Sequence, residues 1–235
     1  MADTSDILSV KAATELASKA LEPLNCVVWG EAAMGRLGVP TVCNGLMLVP
    51  AKDDFDLAVQ KLENAGFRPA PWSYASINPE ILKKKENAEH LQAMHASVAE
   101  QYRTLDAHSK RFVFPQDEFK LAVLYPSYVE IAPPAVQRNV DTSKFFCKER
   151  NFYYPDKVVL LESMIRTLLK DEEPTMWKSL LTAWAVSYIC GYLDVSLDAL
   201  DECDDENVKT WYNKEIRRDL GGLDKTRNKR TGRAY

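Results

Sequence analysis

The sequence predicts an α+β fold: a mixed sheet flanked by helices, followed by a C-terminal helical region. Three observations carry this. Short apolar runs at 26–29 and 41–49, bounded by Gly30 and Pro50, have the length of buried strands. Between and beyond them, apolar residues recur at three- and four-residue spacing, as they do on one face of a helix. After Pro133-Pro134 the strand-like runs stop, and Pro155 and Pro174 each open a long helical pattern. With 235 residues and 46% hydrophobic content, the chain can bury a sizeable core.

The elements follow in order. Ile7, Leu8, Val10, Leu16, Ala17, Ala20 and Leu21 repeat at helical spacing after Ser5, a candidate N-cap, and Pro23 ends the helix. Residues 26–29 read as a strand broken by Gly30. Residues 31–37 read as a helix closed by Gly38 at its C-terminal cap. A second strand is expected over 41–49, and an amphipathic helix over 52–65 with Gly66 as its stop. A third strand is expected at 67–70. Residues 72–78 form a turn-rich loop. Asn78-Pro79 starts one helix that carries Leu91, Met94, Val98, Tyr102 and Leu105. Residues 111–114 and 119–125 pair as a hairpin, and 128–132 extends that sheet. Helices at 155–170 and 174–193 are followed by shorter helical pieces at 197–200 and 208–216. These elements divide the chain into an α/β part (1–135), a helical part packed on it (136–220) and a basic tail expected to be disordered (221–235).

The charge of −4 is unevenly spread, because seven Lys/Arg against two Asp lie between Arg217 and Tyr235. A basic end on an acidic body fits contact with RNA or phosphate through Lys225, Arg227, Lys229, Arg230 and Arg233, or a solvating tail. No apolar run approaches the ~20 residues that cross a bilayer, and the acidic start lacks the order of a signal peptide, so no membrane contact is expected. The five cysteines are widely spaced without a CxxC pair, which suggests neither a zinc ribbon nor a disulfide framework and points to a reduced cytosolic or nuclear chain, cytoplasmic being the expected location. There is no G-x-S-x-G and no P-loop, and His90 and His95 stand five apart, wrong for a joint metal site.

The best candidate site is the strand, glycine turn and short helix over 29–40, since a helix start offers free N–H groups and partial positive charge. Gly30 would form the turn. Glu31 is either a helix-end acid or a general base that also binds a cationic group. Arg36 either pairs with Glu31 or meets ligand. Arg111 and Lys120, on adjacent hairpin strands, line a cleft or a solvated sheet face. Trp72 and Tyr74 lie in a loop, where they can cover a ligand.

The pieces Val28-Trp29-Gly30-Glu31-Ala32, Gly38-Val39-Pro40-Thr41, Leu46-Met47-Leu48-Val49 and Ala65-Gly66-Phe67 resemble the opening of the nucleotidyltransferase fold. They are also similar to a group of small proteins of filamentous fungi that share a WGExAxxxxGVPT segment. The resemblance covers roughly residues 5–132. It implies a nucleotidyltransferase-like sheet with two acids, spaced Asp-x-Asp, on the second strand to hold Mg²⁺. Here Asn44 and Leu46 stand in those places, and Glu130 matches a third acid. The resemblance therefore implies a divergent transferase with degenerate metal-binding acids and no cofactor, Glu31 and Glu130 being its candidate catalytic residues and Asn44 a substrate contact. Small intracellular cyclodipeptide synthases of filamentous fungi are of similar size. They join amino acids delivered as aminoacyl-tRNA, arginine among them. On that likeness the partner is tRNA or a nucleotide, and the product belongs to fungal secondary metabolism. The alternatives are a catalytically silent binding or regulatory pseudo-nucleotidyltransferase and a Mg²⁺-dependent nucleotidyltransferase.

Overall fold

The computed structural model describes residues 10–115, 118–134 and 145–218. The basic tail residues Lys225, Arg227, Lys229, Arg230 and Arg233, the N-cap Ser5 and the turn around Gln116 lie outside them.

Among the described residues, seven strands form one mixed sheet in the order β3-β4-β5-β2-β1-β7-β6. Its centre is β1 (Cys26–Trp29) and β2 (Gly45–Pro50), every residue of which is buried. That is why both read as continuous apolar runs rather than alternating ones. They pair antiparallel, with Trp29 opposite Met47 and Cys26 opposite Pro50. On one side, β5 (Lys120–Leu124) runs parallel to β2, placing Lys120 opposite Gly45. The hairpin partner of β5 is β4 (Ser109–Val113), and the two-residue β3 (Arg68–Pro69) closes that edge. On the other side, β7 (Phe152–Pro155) runs parallel to β1, with β6 (Phe146–Glu149) antiparallel outside it.

Helices cover both faces. Helix α1 (Val10–Leu21) packs on β2 and on α3 (Phe55–Asn64), and the short α2 (Glu31–Arg36) packs on β1, β2 and β7. On the opposite face lie α8 (Lys157–Leu169), α9 (Met176–Ala183) with its continuation through a π-helical turn, Trp184–Ile189, into α10 (Cys190–Tyr192), and α11 (Glu206–Tyr212). Asp156 caps α8, accepting from the N–H groups of Val158 and Val159. Trp184, Tyr188 and Tyr192 recur at four-residue spacing along this segment; Trp184 is core and Tyr192 is exposed. Trp29 meets Trp184 at 6.0 Å and Trp177 at 6.3 Å between ring centroids, and its indole N–H donates to Ser163 Oγ at 2.9 Å. Trp177 donates to the Tyr128 hydroxyl at 2.7 Å. These polar tips are satisfied inside the core, as buried indoles require.

Four expectations are corrected. Residues 128–132 do not extend the sheet: α7 (Pro126–Val129) is a helical turn begun by Pro126, and Glu130 follows it at φ 50°. Residues 41–44 form a loop, so β2 begins only at Gly45. The single helix after Asn78 is three: α4 (Pro79–Leu82), α5 (Ala88–Glu100) and α6 (Arg103–Ala107). Leu105 is fully buried while no residue of α5 is, so the chain turns between them to reach the core. The part expected to be helical, 136–220, also supplies β6 and β7 and so completes the sheet begun by 1–135.

Candidate functional site

The strand β1 ends at Gly30, whose φ of 67° is left-handed, a conformation that glycine adopts without steric cost. A Cβ there would also lie 2.9 Å from Met47 Sδ. The glycine is therefore a buried corner between sheet and helix. It does not line the neighbouring cavity, which corrects its expected role as a phosphate turn.

Glu31 opens α2 but does not cap it. The α2 N-terminus has no side-chain cap, and the Glu31 carboxylate turns to the following loop. It accepts from the backbone N–H of Asn44 at 2.6 Å and from Asn44 Nδ2 at 2.9 Å. Asn44 thus orients the acid and does not itself replace one. Glu31 is only 8% exposed. Burial pushes its carboxyl above the usual carboxylate range, with the Asn44 bonds and the Lys120 charge opposing that shift.

The groups around Glu31 hold their protons. Burial, and then the Glu31 charge, push the Tyr102 phenol up and the Cys43 thiol up to about 11. The Tyr74 phenol is raised well above its ordinary range by the same two causes. That hydroxyl is buried without a hydrogen-bond partner among the described residues. Lys120 donates to the Tyr74 carbonyl at 2.5 Å and sits 5.6 Å from its ring centroid. Burial lowers the Lys120 ammonium, while Asp106 and Glu31 oppose the shift. Within this set Glu31 is the deprotonated group whose raised carboxyl makes it the strongest candidate proton acceptor.

Glu31 also lines a cavity of about 660 Å³ between α1, α2, the loop at 41–44 and the β6–β7 hairpin. The size is that of a small-molecule site. Thr14, Ser18, Ala32, Cys43, Phe152 and Tyr154 form its walls, and Lys11, Glu15, Arg36, Glu149 and Arg150 supply the other charges. Sequence reasoning missed α1 and the hairpin as walls. The hairpin is held by Asn151, whose amide donates to the carbonyls of Ser18 at 3.1 Å and Leu24 at 2.8 Å. An Arg-Asn pair gives no strong turn signal, so the strands beside it went unread.

The remaining predicted residues separate. Arg36 lines the cavity, but its partner is Glu149 rather than Glu31, and its guanidinium lies 5.4 Å from the Tyr154 ring centroid. Arg111 is a latch. It donates to the carbonyls of Trp72 at 2.8 Å, Asp106 at 2.7 Å and Pro71 at 3.3 Å, so these donors are engaged in holding the loop in place. Trp72, Tyr74 and Lys120 surround a void of about 10 Å³, room for a water and no more. None of the three lines the larger cavity. Glu130 lies apart from this cavity: it pairs with Lys170 at 2.6 Å and Arg166 at 3.2 Å and is not among the cavity residues.

The donors do not fit Mg²⁺ held as in nucleotidyl transfer. Leu46 is buried against the sheet and has no ligand atom, Asn44 is engaged with Glu31, and the strand parallel to β2 brings a cation, Lys120, beside Gly45. A second acidic group, Glu162, Cys203 and Asp204, surrounds Arg166, which contacts them at 2.8, 3.5 and 2.5 Å. A guanidinium already supplies the positive charge there. No helix of the described residues is long and apolar enough to cross a membrane. Comparison of the chain with models of known families, with curated proteins and with solved structures finds no match.

Proposed function

We propose that the chain is a metal-independent acyl transferase on a nucleotidyltransferase-like scaffold, acting in the cytoplasm, with Glu31 as its base. One observation carries the reading. A buried carboxylate, turned away from its own helix and fixed by two bonds from Asn44, lines a cavity of about 660 Å³. A raised carboxyl is a better proton acceptor at neutral pH than an ordinary one, because its basicity lies nearer the working pH.

The reaction that suits such a site starts from an acyl group already activated as an ester, as in aminoacyl-tRNA, arginyl-tRNA being the example the acidic body favours. The neutral amine of one aminoacyl group attacks the ester carbon of another. A C–N bond forms and the C–O bond to the ribose breaks. The proton lost by the nitrogen passes through the Glu31 carboxylate to the departing ribose oxygen. A second attack, by the free amine of the dipeptide on its own ester, closes a cyclodipeptide and frees the second tRNA. Positioning and one base are enough for both steps.

Mass spectrometry of cells expressing the chain tests this. A cyclic dipeptide is expected from the wild type and not from Glu31→Gln, with the variant's thermal transition and circular dichroism showing it folded. Product formation at the wild-type level by the folded variant refutes the role of Glu31. A second reading, a binding protein without turnover, is favoured by the asparagine and leucine (Asn44 and Leu46) where metal acids belong in the related fold. Tight tRNA or nucleotide binding with no product in any host identifies that case.

A further inference from the structure

The β6–β7 turn holds a non-glycine residue in the left-handed region: Arg150, at φ 56°. Such a residue is uncommon and points to a constraint from its surroundings. The constraint is the next residue. Asn151 is buried, its amide bonds the Ser18 and Leu24 carbonyls, its side-chain oxygen accepts from Ser18 Oγ, and its own carbonyl accepts from the Cys26 N–H at 3.0 Å. Arg150 is thereby fixed, exposed, on the lining of the cavity that Glu31 also lines.

The charges of this cavity sort into used and unused. Glu31 is engaged by Asn44, and Arg36 by Glu149. Among the described residues the side chains of Lys11, Glu15 and Arg150 take part in no ion pair or hydrogen bond, and all three residues line the cavity. Two unpaired cations and one unpaired acid leave the opening positive, while the buried charge is negative. A ligand seated here presents a cationic or amine end inward and an anionic end outward.

We propose that Arg150, with Lys11, binds a phosphate of the RNA carrier at the cavity mouth while the aminoacyl end reaches Glu31. The inference rests on the acyl-transfer reading above. An amino acid held as an ester has lost its carboxylate, so the negative charge that such a substrate brings is the phosphodiester of its carrier. That charge enters last, on the exposed side, where Arg150 stands. A guanidinium suits a phosphate because its fork matches two oxygens at once.

The test measures anisotropy of labelled, unacylated tRNA across a salt series, with the full chain. Arg150→Gly removes the guanidinium and suits the backbone, since glycine adopts a positive φ freely. It is expected to weaken tRNA binding about tenfold and to lower the slope of log K against log salt by about one, the signature of one lost phosphate contact. Its melting temperature should equal or exceed that of the wild type. Arg150→Lys should restore the salt slope but only part of the affinity, since an ammonium replaces the charge and not the fork, and Glu15→Gln should tighten binding. Unchanged affinity and slope in Arg150→Gly overturn the proposal and leave Glu31 untouched. A loss of affinity that appears only with a lowered melting temperature overturns it as a structural effect. If Arg150→Gly weakens free L-arginine and spares tRNA, the anion is a substrate carboxylate and the proposal falls. Absence of tRNA binding by the wild type overturns both this proposal and the tRNA part of the functional reading.

Discussion

Replacing Tyr74 by Phe should stabilise the protein. The Tyr74 hydroxyl is buried, and no described residue offers it a hydrogen bond. A hydroxyl taken out of water without a partner costs about 1–3 kcal/mol. Phenylalanine keeps the ring beside the Lys120 ammonium, and the bond from Lys120 goes to the backbone carbonyl, so both contacts survive. Part of the gain is offset by the small gap that the lost oxygen leaves, which sets the expected stabilisation at about 1 kcal/mol. For a chain of this size that raises the melting temperature by about 2–4 °C. Urea unfolding should show a higher midpoint at an unchanged slope. The same oxygen can be probed from the opposite side. A Cβ on Gly45 would lie 2.7 Å from it and 3.0 Å from the Lys120 carbonyl. Gly45→Ala should therefore cost about 1–3 kcal/mol by overpacking. On the Tyr74→Phe background the penalty should shrink, giving a coupling of at least ~0.5 kcal/mol. A destabilised Tyr74→Phe, or strictly additive effects, would refute the reasoning, because the hydroxyl would then have a partner or no contact with Gly45.

Three further outcomes follow from the site. Asn44→Ala removes one of the bonds that favour the charged form of Glu31, so the carboxyl should rise further. The acid limb of the pH–rate profile should move to higher pH, with a stability loss of about 1.5 kcal/mol at neutral pH in chemical unfolding. Glu31→Gln should change the pH dependence of stability with a definite sign. The folded Glu31 carboxyl lies above its ordinary value of 4.5, so the fold favours its neutral form. The wild type then loses stability relative to the variant as pH rises from 4.5 through the raised value, and the difference levels off above it. Thermal unfolding at a series of pH values should show this, and a difference that is flat or reversed in that window would sink the assignment. Asn151→Ala leaves the Ser18 hydroxyl and the Leu24 carbonyl without their buried partner, at a cost of about 2–4 kcal/mol in urea unfolding. A cost below ~0.5 kcal/mol would mean that Asn151 does not hold the hairpin.

How far the sequence is legible depends on how local the signal is. Cys26–Trp29 and Gly45–Pro50 are buried on both faces, so their apolar runs are unbroken, and Gly30 marks the corner between strand and helix. The edge strand Phe146–Glu149 is mostly exposed and has no such run, so it went unread, and with it one wall of the cavity. Tyr128, Val129 and Ile131 have the spacing of a strand. Pro126 and the indole of Trp177 instead hold a helical turn there, and that carries Glu130 away from the site. Glu31 was legible by its place after the glycine. Its partner Asn44, 13 positions on, depends on the path of a loop, which no periodicity encodes. Arg111 reads as a surface cation on a strand, and only the return of the 71–74 loop across β4 shows why its donors are consumed.

The strand order bears on biosynthesis. The central strand Cys26–Trp29 takes one neighbour from residues 45–50 and the other from residues 152–155. Until more than a hundred further residues have been made, that strand has one bare side, with unpaired amides and carbonyls open to other nascent chains. A fragment that stops near residue 135 should therefore self-associate instead of folding alone, and the Trp29 indole, waiting for Ser163, Trp177 and Trp184, would be left in water. The two stretches that the sequence separates therefore supply strands to one sheet, and the wall that β6 and β7 give the cavity is added only when the chain is well past its middle.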